Sequence, residues 1–161
     1  MSPPSERIFV ALGSNLGDRR SNLGEAARRV GVLEGVRLIA VGPVIDTAAL
    51  VEPSEPLPQP RYLNSVLELT ALRSPRSLLE ALLAIEQSMG RVRSTRWAPR
   101  IIDLDLLLFG ERLLEEPGLQ IPHPGLSSRR FVLEPLVALA PSLCHPSTGQ
   151  PLRALLERLP P

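Results

Sequence analysis

The sequence RVRSTRWAPRIIDLDLLLF, residues 91–109, joins a basic segment to an apolar one. Its first ten residues contain four arginines and a tryptophan, at Arg91, Arg93, Arg96, Arg100 and Trp97. From Ile101 to Phe109 every residue is apolar except Asp103 and Asp105. That composition is typical of a strand with both faces covered, such as a central one. The stretch therefore predicts a buried strand that carries two acids and follows an arginine-rich loop.

Asp103 and Asp105 are two residues apart, so in a strand they point to the same side, about 6.8 Å apart along the backbone. Two such charges repel by about 2.4 kcal/mol at an effective dielectric constant of about 20, and a bound cation would relieve that repulsion. Carboxylate oxygens favour Mg²⁺ or Mn²⁺, while arginine guanidinium groups match phosphate oxygens. The pattern indicates a metal and phosphate site. The alternative, a pair of solvated surface acids, is disfavoured by the apolar neighbours.

Composition limits the possible classes of protein. A chain of 161 residues, with 43% hydrophobic and 22% charged residues, is typical of a globular protein, and we expect residues 1–161 to form a single domain. A net charge of +1 argues against a general nucleic-acid binder. All 18 basic residues are arginines, which a GC-rich genome or selection for heat tolerance would each explain.

The single cysteine, Cys144, excludes an intrachain disulfide and fits a reducing compartment. The opening residues, MSPPSERIFVAL, have no charged-then-apolar leader, and no run approaches the roughly 18 apolar residues of a membrane span. We therefore expect a cytoplasmic protein without a membrane partner. The expected oligomeric state is a monomer.

Hydrophobic periodicity and turn residues predict the order β-α-β-β-α-β followed by a C-terminal extension. The predicted elements are a strand at 7–12, a glycine-flanked turn at 13–18, a helix capped by Asp18 or Ser21, strands at 36–45 and 61–72, a helix from Ser74-Pro75 to Gly90, the strand at 101–109, a hairpin-like segment at 111–120, and helices at 129–140 and 152–159. This order favours an α+β, ferredoxin-like core, an antiparallel sheet covered by helices.

The strand at 61–72 places Tyr62 and Asn64 on one side, beside a proline-rich loop at 46–60. An aromatic ring next to an amide suits a flat heterocycle, although the pair is equally compatible with an ordinary strand edge. A loop of this length is often functional. It is equally compatible with a surface loop that has no function.

Four stretches, in order along nearly the whole chain, resemble one enzyme family. They are ALGSNLGD at 11–18, RYLNSV at 61–66, GRVRSTRWAPRIIDLDLLLFG at 90–110 and IPHPGLSSRRFVLEPL at 121–136. The family is that of the 6-hydroxymethyl-7,8-dihydropterin pyrophosphokinases of the folate pathway. The resemblance implies a ferredoxin-like core, two Mg²⁺ ions, and transfer of the terminal pyrophosphate of ATP to the pterin's hydroxymethyl oxygen with release of AMP.

The same resemblance implies roles for individual residues. Asp103 and Asp105 match the ligands of both metals and, with Arg91 and Arg100, the catalytic residues. The residues that match nucleotide contacts or the mobile loop over the substrates are Glu86, Arg91, Arg93, Trp97, Arg100, His123 and Arg129. Those that match the pterin pocket are Thr47, Leu50, Tyr62, Asn64 and Phe131.

The sequence departs from the family pattern in a few places. Ala48-Ala49 follows Thr47, where the family usually has a proline, and Leu83 stands where a polar nucleotide contact is common. Residues 51–60 are unusually rich in proline. These changes bear on rate and loop motion, since no metal ligand or catalytic arginine is replaced.

Two other functions fit the sequence less well. A polymerase-like nucleotidyl transferase also combines Gly-Ser with Asp-x-Asp, but there the two lie close together, whereas Ser14 and Asp103 are far apart here. A single-strand RNA reader would need aromatic residues on its sheet face, and the chain has only five aromatic residues in all. Acids on the buried strand would also repel phosphate.

Overall fold

A computed structural model describes residues 5–49, 59–90 and 100–161. Four residues with predicted roles, Leu50, Arg91, Arg93 and Trp97, lie outside these ranges. The elements are β1 (Ile8–Ser14), α1 (Arg19–Gly31), β2 (Val36–Val41), β3 (Ile45–Thr47), β4 (Tyr62–Ala71), α2 (Pro75–Ser88), β5 (Asp103–Phe109), β6 (Leu114–Glu116), β7 (Leu119–Ile121), α3 (Arg130–Leu139) and α4 (Leu152–Arg158).

The main sheet is antiparallel in every pairing and has the strand order β2-β4-β1-β5, with β3 also paired to β4. Strands β6 and β7 form a separate hairpin. The first and third strands of the predicted repeat, β1 and β4, are neighbours at the centre. The predicted α+β class and its order of elements are confirmed, with the hairpin and two helices as the C-terminal extension.

Helices cover both faces of this sheet. On one face, α1 and α2 bury the aliphatic stripe that the sequence predicts, against alternate residues of β1, β4 and β5; its members include Leu23, Val30, Leu78, Leu82 and Ile85. On the other face, α3 and α4 pack over Phe9, Ala11 and Val66. Burying one large aliphatic side chain contributes about 1.5–3 kcal/mol, so this two-sided core holds the strands firmly.

The helix caps are the ones that the turn residues indicate. The Asp18 side chain accepts a hydrogen bond from the Ser21 N–H (3.1 Å), which decides between the two predicted caps of α1. Ser74 caps α2 in the same way, and Pro75 occupies its first turn. Among the described residues, no helix combines the length and the apolar character needed to cross a membrane.

Strand β5 differs from the expected central strand. Both of its faces are covered, as predicted, but in the described part of the chain only β1 pairs with it, so it lies at the end of the sheet. Its outer edge is bonded by other groups. The Leu104 N–H donates to the Glu86 carboxylate (2.7 Å), and the His123 N–H donates to the Leu107 carbonyl (2.9 Å). Gly42-Pro43 predicts a stop within the strand at 36–45, and the structure agrees, since β2 ends at Val41 and β3 begins at Ile45.

Candidate active site

A row of residues across the sheet brings the predicted acids next to the predicted pocket. In the strand pairings, Gly13 of β1 lies opposite Asn64 of β4 on one side and Asp103 of β5 on the other, and Ala11 lies opposite Asp105. Gly13 leaves open the space between its neighbours, because a Cβ there would come within 3.0 Å of the Asn64 Oδ1. The acids and the amide therefore face one cavity across a glycine.

We call that cavity the sheet pocket. It lies between the sheet and α3, and the residues lining it include Ala11, Gly13, Thr47, Tyr62, Asn64, Arg100, Asp103, Asp105, Arg129 and Phe131. The Asn64 Nδ2 donates to the Thr47 Oγ1 (2.7 Å), which fixes the orientation of a nearly buried amide. The Arg129 guanidinium lies over the Phe131 ring, 6.0 Å from its centroid. The described residues predicted to contact the pterin, Thr47, Tyr62, Asn64 and Phe131, are thus brought together.

A second cavity, the edge pocket, opens at the outer edge of β5. It lies between α2, β5 and the hairpin, and its lining includes Leu79, Leu83, Glu86, Arg100, Asp103, Asp105, Gln120 and His123. Of the described residues with predicted nucleotide contacts, Glu86, Arg100 and His123 line this pocket, while Arg129 lines the sheet pocket. Arg100, Asp103 and Asp105 line both, and so form a shared wall between the two cavities.

The shared wall carries closely spaced charges. The Arg100 Nη1 donates to the Asp103 Oδ2 at 3.1 Å. Burial raises the pKa of Asp105 to about 7, with the negative charges of Asp103 and Glu86 acting in the same direction and Arg129 and Arg100 opposing them. An acid whose charged form is this unfavourable is well suited to bind a cation.

His123 follows the cis Ile121–Pro122 peptide and lines the edge pocket. Its Nδ1 accepts a hydrogen bond from the Gly125 N–H (2.9 Å), so in the neutral ring the proton is on Nε2. Burial, followed by the charge of Arg129, lowers the pKa of His123, although Asp103 opposes this. At neutral pH the ring therefore supplies a neutral N–H donor.

Glu86 is only 2% exposed, and its carboxylate accepts the Leu104 N–H at 2.7 Å. That amide lies between the two aspartates in the chain. Glu86 therefore holds the backbone of the Asp-x-Asp segment, a role that its unfavourable place in the last turn of α2 could suggest only in general terms.

The chain is similar to known proteins over nearly its whole length. A profile of the family described as 7,8-dihydro-6-hydroxymethylpterin-pyrophosphokinase (HPPK) matches residues 9–141. The 2-amino-4-hydroxy-6-hydroxymethyldihydropteridine pyrophosphokinase of Pseudomonas aeruginosa is 45% identical over 155 residues, which are 96% of this chain and 93% of that protein. The chain belongs to the HPPK family.

Other relatives are longer than this chain. The folic acid synthesis protein fol1 of Schizosaccharomyces pombe is 41% identical over 99% of this chain, which spans only 21% of that protein. A solved structure of wild-type Plasmodium falciparum HPPK-DHPS aligns with a TM-score of 0.73 at 14% identity, over 96% of this chain and 44% of that one. At that identity the likeness shows the fold alone, and it confirms the predicted ferredoxin-like core. The predicted family and enzyme class are confirmed by the sequence relatives.

Sequence reasoning missed two residues that line the sheet pocket. The prediction did not include Ala11 or Gly13 as site residues, although both belong to the ALGSNLGD motif that supported the resemblance. Gly13 was noted only as part of a turn, whereas the structure places it in β1, beneath the sheet pocket. The motif was the available signal, but which of its members faces the cavity depends on the strand register.

Proposed function

We propose that the chain transfers the diphosphate group of ATP to the hydroxymethyl oxygen of 6-hydroxymethyl-7,8-dihydropterin and releases AMP, as a step of folate biosynthesis. In this transfer the pterin oxygen bonds to the β-phosphorus, and the bond from that phosphorus to the oxygen shared with the α-phosphate breaks. The hydroxyl proton is lost, and AMP leaves with the bridging oxygen.

The observation that carries this proposal is the shared wall. Transfer between two substrates is fastest when their reacting atoms are held close together and aligned, and two cavities that share a wall allow this. The sheet pocket supplies an aromatic ring and an oriented amide, which suit the flat, hydrogen-bonding pterin. The edge pocket supplies an aliphatic helix face and a neutral histidine donor, which suit a nucleotide and its phosphates. Arg100, Asp103 and Asp105 lie where the two ligands would meet.

The donor set fits divalent cations held jointly with the substrate. Among the described residues, no group of three or more acids, histidines or cysteines is placed to hold a metal by itself. Asp103 and Asp105 supply two carboxylates, and Mg²⁺ is commonly bound by one or two carboxylates together with substrate phosphates and water. We propose that these two aspartates hold the two Mg²⁺ ions. The ions would supply positive charge that offsets the triphosphate.

The protein's own groups would do the positioning. Arg100 donates to Asp103 through its Nη1, and a guanidinium group matches the geometry of phosphate oxygens. Asn64, fixed by Thr47, presents its amide to the pterin edge, and Phe131 offers a face for the ring. Arg91, Arg93, Trp97 and Leu50, which lie outside the described residues, are proposed to complete the phosphate contacts, the covering loop and the pocket wall. A monomer in the cytoplasm remains the prediction for the whole protein.

The test is to incubate the protein with ATP, Mg²⁺ and the reduced pterin alcohol and to follow the products by ³¹P NMR and nucleotide chromatography. We expect AMP and a pterin diphosphate in equal amounts. The 6-methyl analogue, which lacks the hydroxyl oxygen, should yield no AMP. Formation of ADP, or of free diphosphate with AMP joined to the pterin, would overturn the assignment.

A further inference from the structure

Asn15 joins three segments that are distant in the sequence. Its side chain is almost fully buried, since the residue is 2% exposed. The Asn15 Oδ1 accepts the Arg100 N–H at 2.8 Å, and the Asn15 Nδ2 donates to the Pro60 carbonyl at 3.1 Å. The Asn15 N–H also donates to the Arg100 carbonyl at 3.1 Å. These partners are 85 and 45 residues away along the chain.

These contacts hold the backbone of Arg100 at both of its polar groups. The side chain of Arg100 then reaches Asp103, three residues later. Through Pro60, the same amide holds the residues that lead into β4, where Tyr62 begins the strand that carries the pocket amide. Asn15 lines neither the sheet pocket nor the edge pocket. It is therefore placed to act on the substrates only through other residues.

We propose that Asn15 is a positioning residue. Its side chain sets the position of the Arg100 guanidinium in the shared wall and fixes that position relative to the residues on the pterin side of the site. This inference rests on the proposed function, because it gives Arg100 a role in the transfer. Its physical basis is that both polar atoms of this buried amide are hydrogen bonded to backbone groups of distant segments. Without the amide, the Arg100 N–H and the Pro60 carbonyl lose these bonds, and Asn15 then holds the Arg100 backbone at its carbonyl alone.

The chain offers a matched control nearby, in the first turns of α1. Asn22 also uses its Nδ2, which donates to the Leu16 carbonyl (2.9 Å) and the Ser14 hydroxyl (3.2 Å). Its bonds stay within the turn and the start of α1, so they reach neither Pro60 nor Arg100. Asn22→Ala therefore removes a local amide, whereas Asn15→Ala removes an amide that connects the three segments.

We expect Asn15→Ala to lower kcat by about 10²-fold, the cost of misplacing a catalytic group by about 1 Å, with the KM for ATP within about threefold of wild type. Asn22→Ala should keep kcat within about threefold. Asn15→Asp retains the acceptor for the Arg100 N–H but places an oxygen against the Pro60 carbonyl. It should therefore keep more of kcat than Asn15→Ala while raising the KM for the pterin.

A second readout needs no substrate. Amide hydrogen exchange in the ligand-free protein should show the Arg100 amide exchanging at least about tenfold faster in Asn15→Ala and little changed in Asn15→Asp and Asn22→Ala. A folded Asn15→Ala with wild-type kcat, or with unchanged exchange at Arg100, overturns the inference. If Asn15→Ala does not fold, Asn15→Asp provides the test. An unchanged KM for the pterin in that variant would refute the connection to Pro60. Rapid exchange of the Arg100 amide in that variant would refute the connection through Oδ1. A wild-type protein that makes no AMP would refute the proposed function, and the exchange data would still test the positioning.

Discussion

The sheet pocket and the edge pocket meet at the same three residues but offer different chemistry. The sheet pocket surrounds its ligand with an aromatic ring, an oriented amide and a glycine that leaves room for both. The edge pocket offers leucines of α2, a carboxylate bonded to backbone and a neutral histidine. Charged side chains line both pockets, and three of them, Arg100, Asp103 and Asp105, form the shared wall. The two pockets thus recognise different ligands, while the three residues suited to the transfer line both of them.

This division makes a prediction about kinetics. Substitutions confined to one pocket should change the affinity for one substrate, because they remove contacts made equally in the ground and transition states. Substitutions in the shared wall should change kcat, because those groups meet the charge that develops during transfer. The variants below test that separation, beginning with the largest expected effect.

Replacing the acids of the shared wall should have the largest effect. We expect Asp103→Asn and Asp105→Asn each to lower the rate of AMP formation by at least about 10³-fold, because each removes a carboxylate proposed to hold Mg²⁺ against the phosphates. Pterin binding, followed by fluorescence titration, should change far less.

Glu68→Gln is the matched control for the aspartates. Glu68 is a strand carboxylate that pairs with Arg7 at 2.7 Å and lies toward the other end of the sheet. Its replacement should leave AMP formation within about threefold of wild type, as exposed ion pairs contribute little. Near-normal turnover in either aspartate variant would contradict metal binding by these residues.

Arg100→Ala should follow in size. Loss of one preorganised donor to developing charge typically lowers kcat by about 10²–10³-fold, and we expect a much smaller change in the dissociation constant of ATP. Stopped-flow measurement of AMP formation together with ATP titration separates the two quantities. Arg112, which pairs with Glu6 and lies over the Phe109 ring beyond the far end of β5, provides the control variant Arg112→Ala. An effect of Arg100→Ala on ATP binding alone would remove Arg100 from the shared wall's catalytic role.

Asn64→Ala should weaken pterin binding by roughly ten- to hundredfold, the cost of about 1–3 kcal/mol for leaving buried polar groups without a partner. ATP affinity in the same variant is the internal control, since Asn64 lies in the sheet pocket and not among the residues that line the edge pocket. An unchanged pterin titration would exclude Asn64 from recognition.

Gly13→Ala tests the same pocket by adding an atom. The new Cβ would lie 3.0 Å from the Asn64 Oδ1 and 3.4 Å from the Tyr62 Cδ1, so the amide has to shift. We expect pterin affinity to fall by about tenfold, with a smaller change in ATP affinity. Equal losses for both ligands would indicate a general disturbance of β1.

The two pockets were not equally predictable from sequence. Alternation in β4 was enough to place Tyr62 and Asn64 together, because side chains two residues apart in a strand share a face. The same rule placed Asp103 beside Asp105. The edge pocket depends on contacts between α2, β5 and the hairpin, which no local pattern encodes. The residues of the edge pocket that are predicted to contact the nucleotide were identified from the family resemblance and not from periodicity.

Strand β5 shows why the rest could not be predicted. An apolar sequence reports that both faces of a strand are covered, but it says nothing about which groups occupy its edges. Here one edge is bonded by the Glu86 carboxylate and the His123 N–H rather than by another strand. The Asn15 contacts have the same origin, since their partners are separated by long stretches of chain. Both features are set by tertiary packing.

The smallest predicted effect concerns pH and cation binding in the shared wall. In the protein without a cation, burial raises the pKa of Asp105 to about 7, well above the usual value of about 3.9. The folded state therefore holds a proton that the unfolded state has lost, so the stability of this cation-free form should fall as pH rises from about 4 to 7 and then level off.

A divalent cation must displace that proton below pH 7. We expect Mn²⁺ affinity to rise by about fivefold from pH 6 to pH 7 and little beyond pH 8, measured by calorimetric titration in the presence of a non-hydrolysable ATP analogue. The analogue's own phosphate titration provides the baseline, and Asp105→Asn should reduce the pH dependence to that baseline. If wild type and Asp105→Asn show the same slope, the titrating group that opposes the cation is not Asp105, and the charge balance assigned to the shared wall is wrong.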